Sequence, residues 1–240
     1  MASKQTFICV NCGCKVKELY KKYSNVVKTV NCEKCHKVVD KYVEFEPVII
    51  LLDTVLLSQQ AYRHILYNRD FKLFWKLSLM LLLLESFALW REKREQSVLR
   101  QNTNTTYEQG FYICCFQNII DNLLCTMLLF IITIMLHTKW VLDNGAKRFI
   151  ITLLKANTLA NFSKFFLLPI ILWRENTTEF GINLHQIIVM GHQSCAQIFV
   201  YVIVSHLTKL RALIIIISTY FIKEFVLQHI MNVLEHQLVQ

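Results

Sequence analysis

Two cysteine pairs near the N-terminus are the residues of this sequence whose types and spacing most clearly indicate chemistry. Cys9 and Cys12 form one CxxC pair, Cys32 and Cys35 form a second, and nineteen residues separate the pairs. Four thiolates at this spacing are typical of a tetrahedral structural zinc site, which leaves no position open for water. The sequence therefore predicts one structural zinc ion bound by Cys9, Cys12, Cys32 and Cys35. The alternatives are an iron–sulfur centre and a thioredoxin-type redox pair, which would need a βαβ context.

Two neighbours of the first pair bear on this prediction. Gly13 follows Cys12 directly and allows the tight turn that a cysteine knuckle needs. Cys14 is a fifth thiol, which we interpret as a spectator; in the alternative interpretation it replaces Cys12 as a ligand.

A second group of polar residues lies in the segment after the cysteines. Pro47 fits the first turn of a helix, and residues 48–68 are predicted to form that helix. Asp53, Gln60 and His64 recur at spacings of seven and four residues and would share one helical face. Such a helix would lie in the membrane interface or, alternatively, cross the membrane. The candidate contacts to lipid headgroups or to a partner are Asp53, Gln60, Arg63 and His64.

Two histidines in apolar sequence are the main candidates for catalysis. His185 and His192 are seven residues apart and would project from one face of a helix. They could serve a membrane acyl- or glycosyltransferase, but no HxxxH cluster or Ser-His-Asp spacing accompanies them. Packing between helices is the alternative, and we predict no catalytic residue and no enzyme.

The composition indicates a membrane protein. Of 240 residues 54% are hydrophobic, the mean hydropathy is +0.37, and there are only 5 glycines and 2 prolines. Most of such a chain must be solvated by lipid. The net charge of +9 is scattered through the head and the loops, so we expect contact with anionic headgroups and not with nucleic acid.

The elements that must position these residues are a small head and a helical membrane body. Short β-type runs at 26–30 and 38–45 predict a β-rich zinc ribbon, followed by a multispanning α-helical domain with about four or five spans. The predicted domains are a head at 1–46, an interfacial amphipathic helix at 47–68 and a transmembrane domain at 69–240. The predicted spans are 71–90, 111–136, 149–173, 182–204 and, if it extends to Ile230, a fifth that begins at Ala212.

Ionisable groups inside the predicted spans include Glu85, Asp121 and Lys155. They are costly in hydrocarbon, so they should face protein or a water-filled path.

The head cysteines also predict the orientation of the chain. Thiols that bind a metal need a reducing compartment, so we expect a cytosolic head. Alternation of the spans then places the sequons at Asn104 and Asn176 in the lumen, where they would be open to glycosylation.

Both cysteine knuckles are followed in order by the runs Val39-Asp-Lys-Tyr-Val-Glu-Phe-Glu46 and Gln60-Ala-Tyr-Arg-His-Ile-Leu-Tyr-Asn68. With these motifs the first seventy residues resemble the Arv family. One departure is His36, where the family pattern leads us to expect glycine.

This resemblance implies an endoplasmic-reticulum membrane protein of sterol and sphingolipid homeostasis. It further implies a link to sterol trafficking and to early glycosylphosphatidylinositol-anchor synthesis. We therefore expect a non-enzymatic protein that moves or presents sterols or glycolipid intermediates, or that scaffolds the enzymes that make them. The expected partners are membrane lipids, sterols and enzymes of anchor synthesis.

Overall fold

The structure, a computed structural model, describes residues 7–23, 26–99, 107–169 and 178–238. The chain divides into two units, Met1–Leu73 and Phe74–Gln240, which are treated separately below.

The first unit begins with two antiparallel hairpins. Strand β1 (Phe7–Ile8) pairs with β2 (Lys15–Val16), and β3 (Tyr20–Tyr23) pairs with β4 (Val26–Thr29). A single bridge between Asn31 and Val38 closes the second cysteine knuckle. These two small sheets stand where a β-rich head was predicted.

The predicted strand at 38–45 is wrong over most of its length. A 3₁₀-helix occupies Lys41–Glu44 instead. The Asp40 carboxylate accepts a hydrogen bond from the backbone N–H of Tyr42 (3.0 Å), which caps this turn at its start. Aspartate competes with strand pairing in this way because its short side chain reaches nearby backbone N–H groups.

The predicted single helix over 48–68 is interrupted. Helix α1 spans Pro47–Val55, helix α2 spans Gln59–Arg63, and a π-helical turn follows at His64–Asn68. The chain reverses between α1 and α2 because Leu57 adopts a left-handed φ of 62°. Asp53 lies in α1 and Gln60 lies in α2, so the spacing of seven residues between them does not place them on one helical face. The shared face predicted for these two residues is therefore wrong.

The second unit is helical. Its elements are α3 (Lys72–Leu99, of which the first two residues belong to the first unit), α4 (Tyr107–Asn144), α5 (Ala146–Ala160), a 3₁₀ segment (Asn161–Phe166), α6 (Glu179–Ser205) and α7 (Lys209–Leu238). Helix α5 packs against α4 and α6, and α7 packs against the same two helices.

Three of these helices are long and apolar enough to cross a membrane. The segments are Lys72–Glu95, Gln109–Leu136 and Asn183–Ser205. They correspond to the predicted spans at 71–90, 111–136 and 182–204, and they indicate a multi-pass membrane protein. The predicted total of four or five spans is not confirmed.

The predicted span at 149–173 is not one continuous α-helix. Helix α5 ends at Ala160 and a 3₁₀ segment follows, while residues 170–177 lie outside the described part of the chain. The sequons at Asn104 and Asn176 also lie outside it.

Candidate functional site

The four cysteines of the CxxC pairs come together in the first unit. Their Sγ atoms all lie within 4.8 Å of one another, with 3.8 Å between Cys9 and Cys35 and 3.7 Å between Cys12 and Cys32. A zinc ion bound tetrahedrally at about 2.3 Å places its sulfur ligands about 3.8 Å apart. The spacing and the all-sulfur donor set therefore fit zinc, which would hold the two knuckles together here and would have no site open for substrate.

The two knuckles share one backbone turn. The N–H of Gly13 donates to the carbonyl of Cys9 (2.9 Å), and the N–H of His36 donates to the carbonyl of Cys32 (2.8 Å). Both donors have left-handed backbones, with φ of 77° at Gly13 and 58° at His36. His36 thus adopts the conformation for which glycine was expected, and histidine tolerates this region less readily than glycine does.

A pair of opposite substitutions tests this turn. We expect His36→Gly to strengthen zinc binding by up to about fivefold, because it relieves about 1 kcal/mol of left-handed strain and the His36 side chain is exposed. Gly13→Ala should weaken binding by a similar factor. Competition of the purified chain with a chromophoric chelator measures both. Weaker binding by His36→Gly would show that the histidine has a role other than filling the turn.

Cys14 lies beside the four sulfurs. Its Sγ is 3.2 Å from that of Cys12 and 3.2 Å from that of Cys32. The backbone N–H of Cys35, aided by the Cys14 thiol, lowers the pKa of Cys32 to about 6. The hydrogen bond to Cys32 raises the pKa of Cys14 to about 12.

Helix α2 supports the first knuckle directly. Arg63 Nη1 donates to the carbonyls of Val10 (2.9 Å) and Asn11 (2.8 Å), the two residues inside the first CxxC pair. Gln60 Nε2 donates to the side-chain oxygen of Asn11 (3.0 Å), and Asn11 in turn donates to the carbonyl of Val38 (2.8 Å). One turn of helix therefore holds the backbone of the first knuckle.

The π-helical turn makes a second, buried connection through Asp40. The Asp40 carboxylate is fully buried and lies 2.7 Å from His64 Nδ1 and 2.6 Å from Asn68 Nδ2. Asn68 also pairs with both backbone groups of Ile8 in strand β1, at 2.9 and 2.8 Å. These bonds connect the helical turn to both knuckles, and we call Asp40, His64 and Asn68 the buried clasp.

Asp53 makes a third connection. The Tyr42 hydroxyl donates to Asp53 Oδ2 (2.7 Å) and lies 3.3 Å from the Ser58 hydroxyl. Burial, with the Asp53 carboxylate nearby, raises the pKa of Tyr42 to about 12. Tyr42 thus ties the 3₁₀ turn to the break between α1 and α2.

All four candidate headgroup contacts bond within the first unit. Asp53, Gln60 and Arg63 are half-buried and His64 is buried. Their contact with a lipid or partner stays a prediction, and their observed partners are the cysteine knuckles and the turn that follows them. Asp40 and Asn68 were not chosen from the sequence as site residues, although both stand in the runs that carry the family resemblance.

Arg63→Lys separates a knuckle-supporting role from a lipid-contacting one. Lysine keeps the charge but lacks the planar group that serves both carbonyls, so we expect zinc affinity to fall about tenfold, as for other residues that support metal ligands. Arg69→Lys, in the same segment, is the matched control. Unchanged zinc affinity together with weaker binding to anionic vesicles would instead favour the lipid role.

The second unit contains a layer of amide side chains. Three helical segments each contribute a pair of amides four residues apart, which places both members of a pair on the same helical face. We call this set the amide layer: Asn118 and Asn122 of α4, Asn157 of α5 with Asn161 at its end, and Gln193 and Gln197 of α6.

Hydrogen bonds join the amide layer across helices. Asn157 Nδ2 donates to the Asn122 carbonyl (3.2 Å), and Gln197 Nε2 donates to Asn157 Oδ1 (3.0 Å). Asn161 Nδ2 donates to Asn122 Oδ1, and Gln193 Nε2 donates to Asn161 Oδ1 (3.0 Å). Polar bonds thus link α4, α5 and α6 at the depth of Asn122, near the middle of a candidate span.

Ion pairs stand beside this layer. Lys164 Nζ lies 2.5 Å from Glu85 Oε2, and Lys223 Nζ lies 2.8 Å from Asp121 Oδ1. Glu85 and Asp121 therefore face protein, as expected for ionisable groups in spans.

Comparison with known proteins now bears on both units. The model of the Arv1-like family matches residues 8–197. The chain belongs to the Arv1-like family. A mouse protein named ARV1 is 30% identical over 197 residues, covering 79% of this chain and 71% of its own. The human ARV1 protein is 30% identical over 190 residues (76% and 68%), and protein ARV 2 of Arabidopsis thaliana is 31% identical over 175 residues (69% and 72%). No solved structure matches.

The family match reaches well beyond the first seventy residues, where the resemblance was seen in the sequence. It includes α3, α4, α5 and most of α6, and hence all six members of the amide layer. The sequence itself carries a signal for this layer. Each of three apolar segments in this Arv1-like chain repeats an amide after four residues, and such residues are costly in lipid unless they bond to each other.

The intramembrane histidines of this Arv1-like chain both contact Phe166. His185 Nε2 lies 2.5 Å from the Phe166 carbonyl oxygen, and the His192 ring packs edge-to-face on the Phe166 ring at 5.0 Å between centroids. These contacts attach α6 to the 3₁₀ segment. They correspond to the packing alternative and do not form a nucleophile–base arrangement.

Proposed function

We propose that this Arv1-like protein maintains sterol and lipid homeostasis in the endoplasmic-reticulum membrane. It would act in the distribution of sterols among membranes and in the handling of glycosylphosphatidylinositol intermediates, with membrane lipids, sterols and anchor-synthesis enzymes as partners. The knuckle cysteines would bind one structural zinc ion in a cytosolic head, and no catalytic residue is assigned.

The observation that carries the proposal is the polar interior of the membrane helices. Asn122 lies near the middle of the candidate span Gln109–Leu136, and Glu85 lies near the middle of Lys72–Glu95. Amides and ion pairs at such depth are expensive unless they serve packing or a polar ligand. A protein that handles amphiphilic lipids needs polar groups of this kind within reach of the bilayer.

Restoration of function in cells lacking their own family member tests the proposal. We expect the chain to restore the sterol distribution between endoplasmic reticulum and plasma membrane, and the surface display of an anchored reporter. The Cys32→Ser/Cys35→Ser variant should fail, and Cys195→Ser, at an exposed cysteine of α6, should restore both. A wild-type chain that reaches the reticulum membrane and restores neither would contradict the proposal.

The same cells test whether His185 and His192 take part in catalysis. A double variant, His185→Gln with His192→Gln, is expected to keep its restoring activity, because glutamine retains a hydrogen-bonding group near Phe166. Loss of activity at unchanged protein level and membrane location would instead favour a transferase.

A further inference from the structure

A groove lies within the second unit between α3, α4 and α5. Its cavity volume is about 180 Å³. One wall is apolar and includes Trp75, Ile119 and Leu123, and the opposite wall includes Asn157 and Lys164.

The apolar rim of the groove faces outward. Ile119 is 43% exposed and Leu123 is 50% exposed, and both lie inside the candidate span Gln109–Leu136. Exposed side chains of a membrane span contact acyl chains. An amphiphile in the bilayer can therefore enter the groove sideways, with its apolar body against this rim.

The inner wall offers hydrogen bonds. Lys164, Asn157 and Asn161 are each more than nine-tenths buried and line the groove. An ammonium group has three N–H donors, and the Glu85 carboxylate takes one from Lys164. Lys164 therefore keeps donors for a ligand, while the amide layer holds its neighbours in place.

Charge and depth decide which headgroup fits. The Lys164 charge is balanced by Glu85 at 2.5 Å, so this ion pair adds no net charge to the groove. A phosphate here would be an uncompensated anion near the middle of the membrane, where burial of charge is costly. A hydroxyl needs only one or two hydrogen bonds, which this wall supplies.

We propose that the groove binds an uncharged membrane lipid whose headgroup is a single hydroxyl, the class to which sterols belong, through Lys164, Asn157 and Asn161. The site deepens the proposed function and rests on it, since that function supplies the need for a lipid ligand.

Photolabelling of the purified full chain in nanodiscs tests the site. One probe is a photoactivatable sterol with a free hydroxyl, the second is the same sterol with the hydroxyl methylated, and the third is a photoactivatable phosphatidic acid. We expect the free-hydroxyl probe to label peptides containing Ile119 and Leu123. Methylation should reduce this labelling about tenfold, because the ether has no O–H to donate to an amide oxygen of Asn157 or Asn161 and its methyl group crowds the ammonium of Lys164. Phosphatidic acid should label these peptides no more than the methylated probe does.

A matched pair of substitutions on α4 blocks the groove or leaves it open. Leu123→Trp fills the groove, and Ile131→Trp adds the same ring at an equally exposed position, 49% against 50%, away from the groove lining. Labelling should fall about tenfold in the first variant and stay unchanged in the second.

Equal labelling by the free and methylated sterols, or preferential labelling by phosphatidic acid, would overturn the site. Unchanged labelling of a folded Leu123→Trp chain would do the same. Labelling at the groove by a wild-type chain that fails to restore cells would contradict the proposed function but leave the site standing. Restoration by a chain that shows no groove labelling would contradict the site alone.

Discussion

Removal of the proposed zinc ion from the four knuckle thiols is expected to unfold residues 7–40 of the full chain. Among the described residues there, the buried apolar cluster comprises Cys9, Leu19, Cys32 and Val39, and two of these four are proposed zinc ligands. Zinc contributes on the order of 10–16 kcal/mol to modules of this kind, far more than so small an apolar core can replace. Limited proteolysis of the purified chain, before and after a strong chelator, should show new cleavage in the knuckles.

The matched variants for this prediction are two cysteine-to-serine changes. Cys32→Ser should reproduce the cleavage without chelator, and Cys195→Ser should not. Added zinc should restore protection to the wild type. Knuckles that remain protected after complete removal of zinc would show that the buried clasp and α2 hold them without metal.

Lys164→Met is expected to destabilise the second unit by about 3 kcal/mol. The substitution leaves Glu85 without its cation near mid-membrane, and removal of one partner of a buried ion pair costs about 3–5 kcal/mol. We take the lower end because the Glu85 side chain is 21% exposed. Adding Glu85→Gln should recover most of the loss, because the unpaired charge is then gone.

Denaturation of helical structure in mixed micelles by increasing SDS measures both variants. The control is Lys72→Met, which breaks the pair with Asp70 at 86% and 68% side-chain exposure and should cost less than about 1 kcal/mol. The assignment of a buried pair would be contradicted if Lys164→Met lost no more stability than Lys72→Met. It would also be contradicted if adding Glu85→Gln recovered none of the stability lost in Lys164→Met.

The sequence predicted the parts of the first unit that local spacing determines. Two CxxC pairs that bind one metal ion must bring their four sulfur atoms together. Gly13 indicated the left-handed turn of the first knuckle. The same turn at His36 was less evident, since histidine adopts a positive φ only when its surroundings impose it.

The break between α1 and α2 could not be predicted from its residues. Leu56, Leu57 and Ser58 contain neither glycine nor proline, and leucine is a strong helix former. The turn is fixed by tertiary contacts, among them the bond from the Ser58 N–H to the Asp53 carbonyl (3.0 Å) and the Tyr42 hydroxyl beside Ser58. A continuous helix was expected to turn Gln60, Arg63 and His64 toward the membrane. The break instead places these residues against the cysteine knuckles and the turn that follows them.

In the second unit, hydropathy located the three helices that are long and apolar enough to cross a membrane, but it could not pair their polar residues. Glu85 and Lys164 are seventy-nine positions apart, and no local pattern links them. The amide pairs were visible as i, i+4 repeats, yet which helices they join depends on packing. The groove arises from that packing as well, because its lining residues come from α3, α4, α5 and the 3₁₀ segment.

We propose that the membrane helices handle the lipid and that the cysteine head serves fold formation. Sterol distribution in cells lacking their own family member, measured with the Leu123→Trp and Ile131→Trp variants at equal expression, tests this most directly. We predict that Ile131→Trp restores the distribution as the wild type does and that Leu123→Trp fails to restore it. Full restoration by Leu123→Trp would contradict the account.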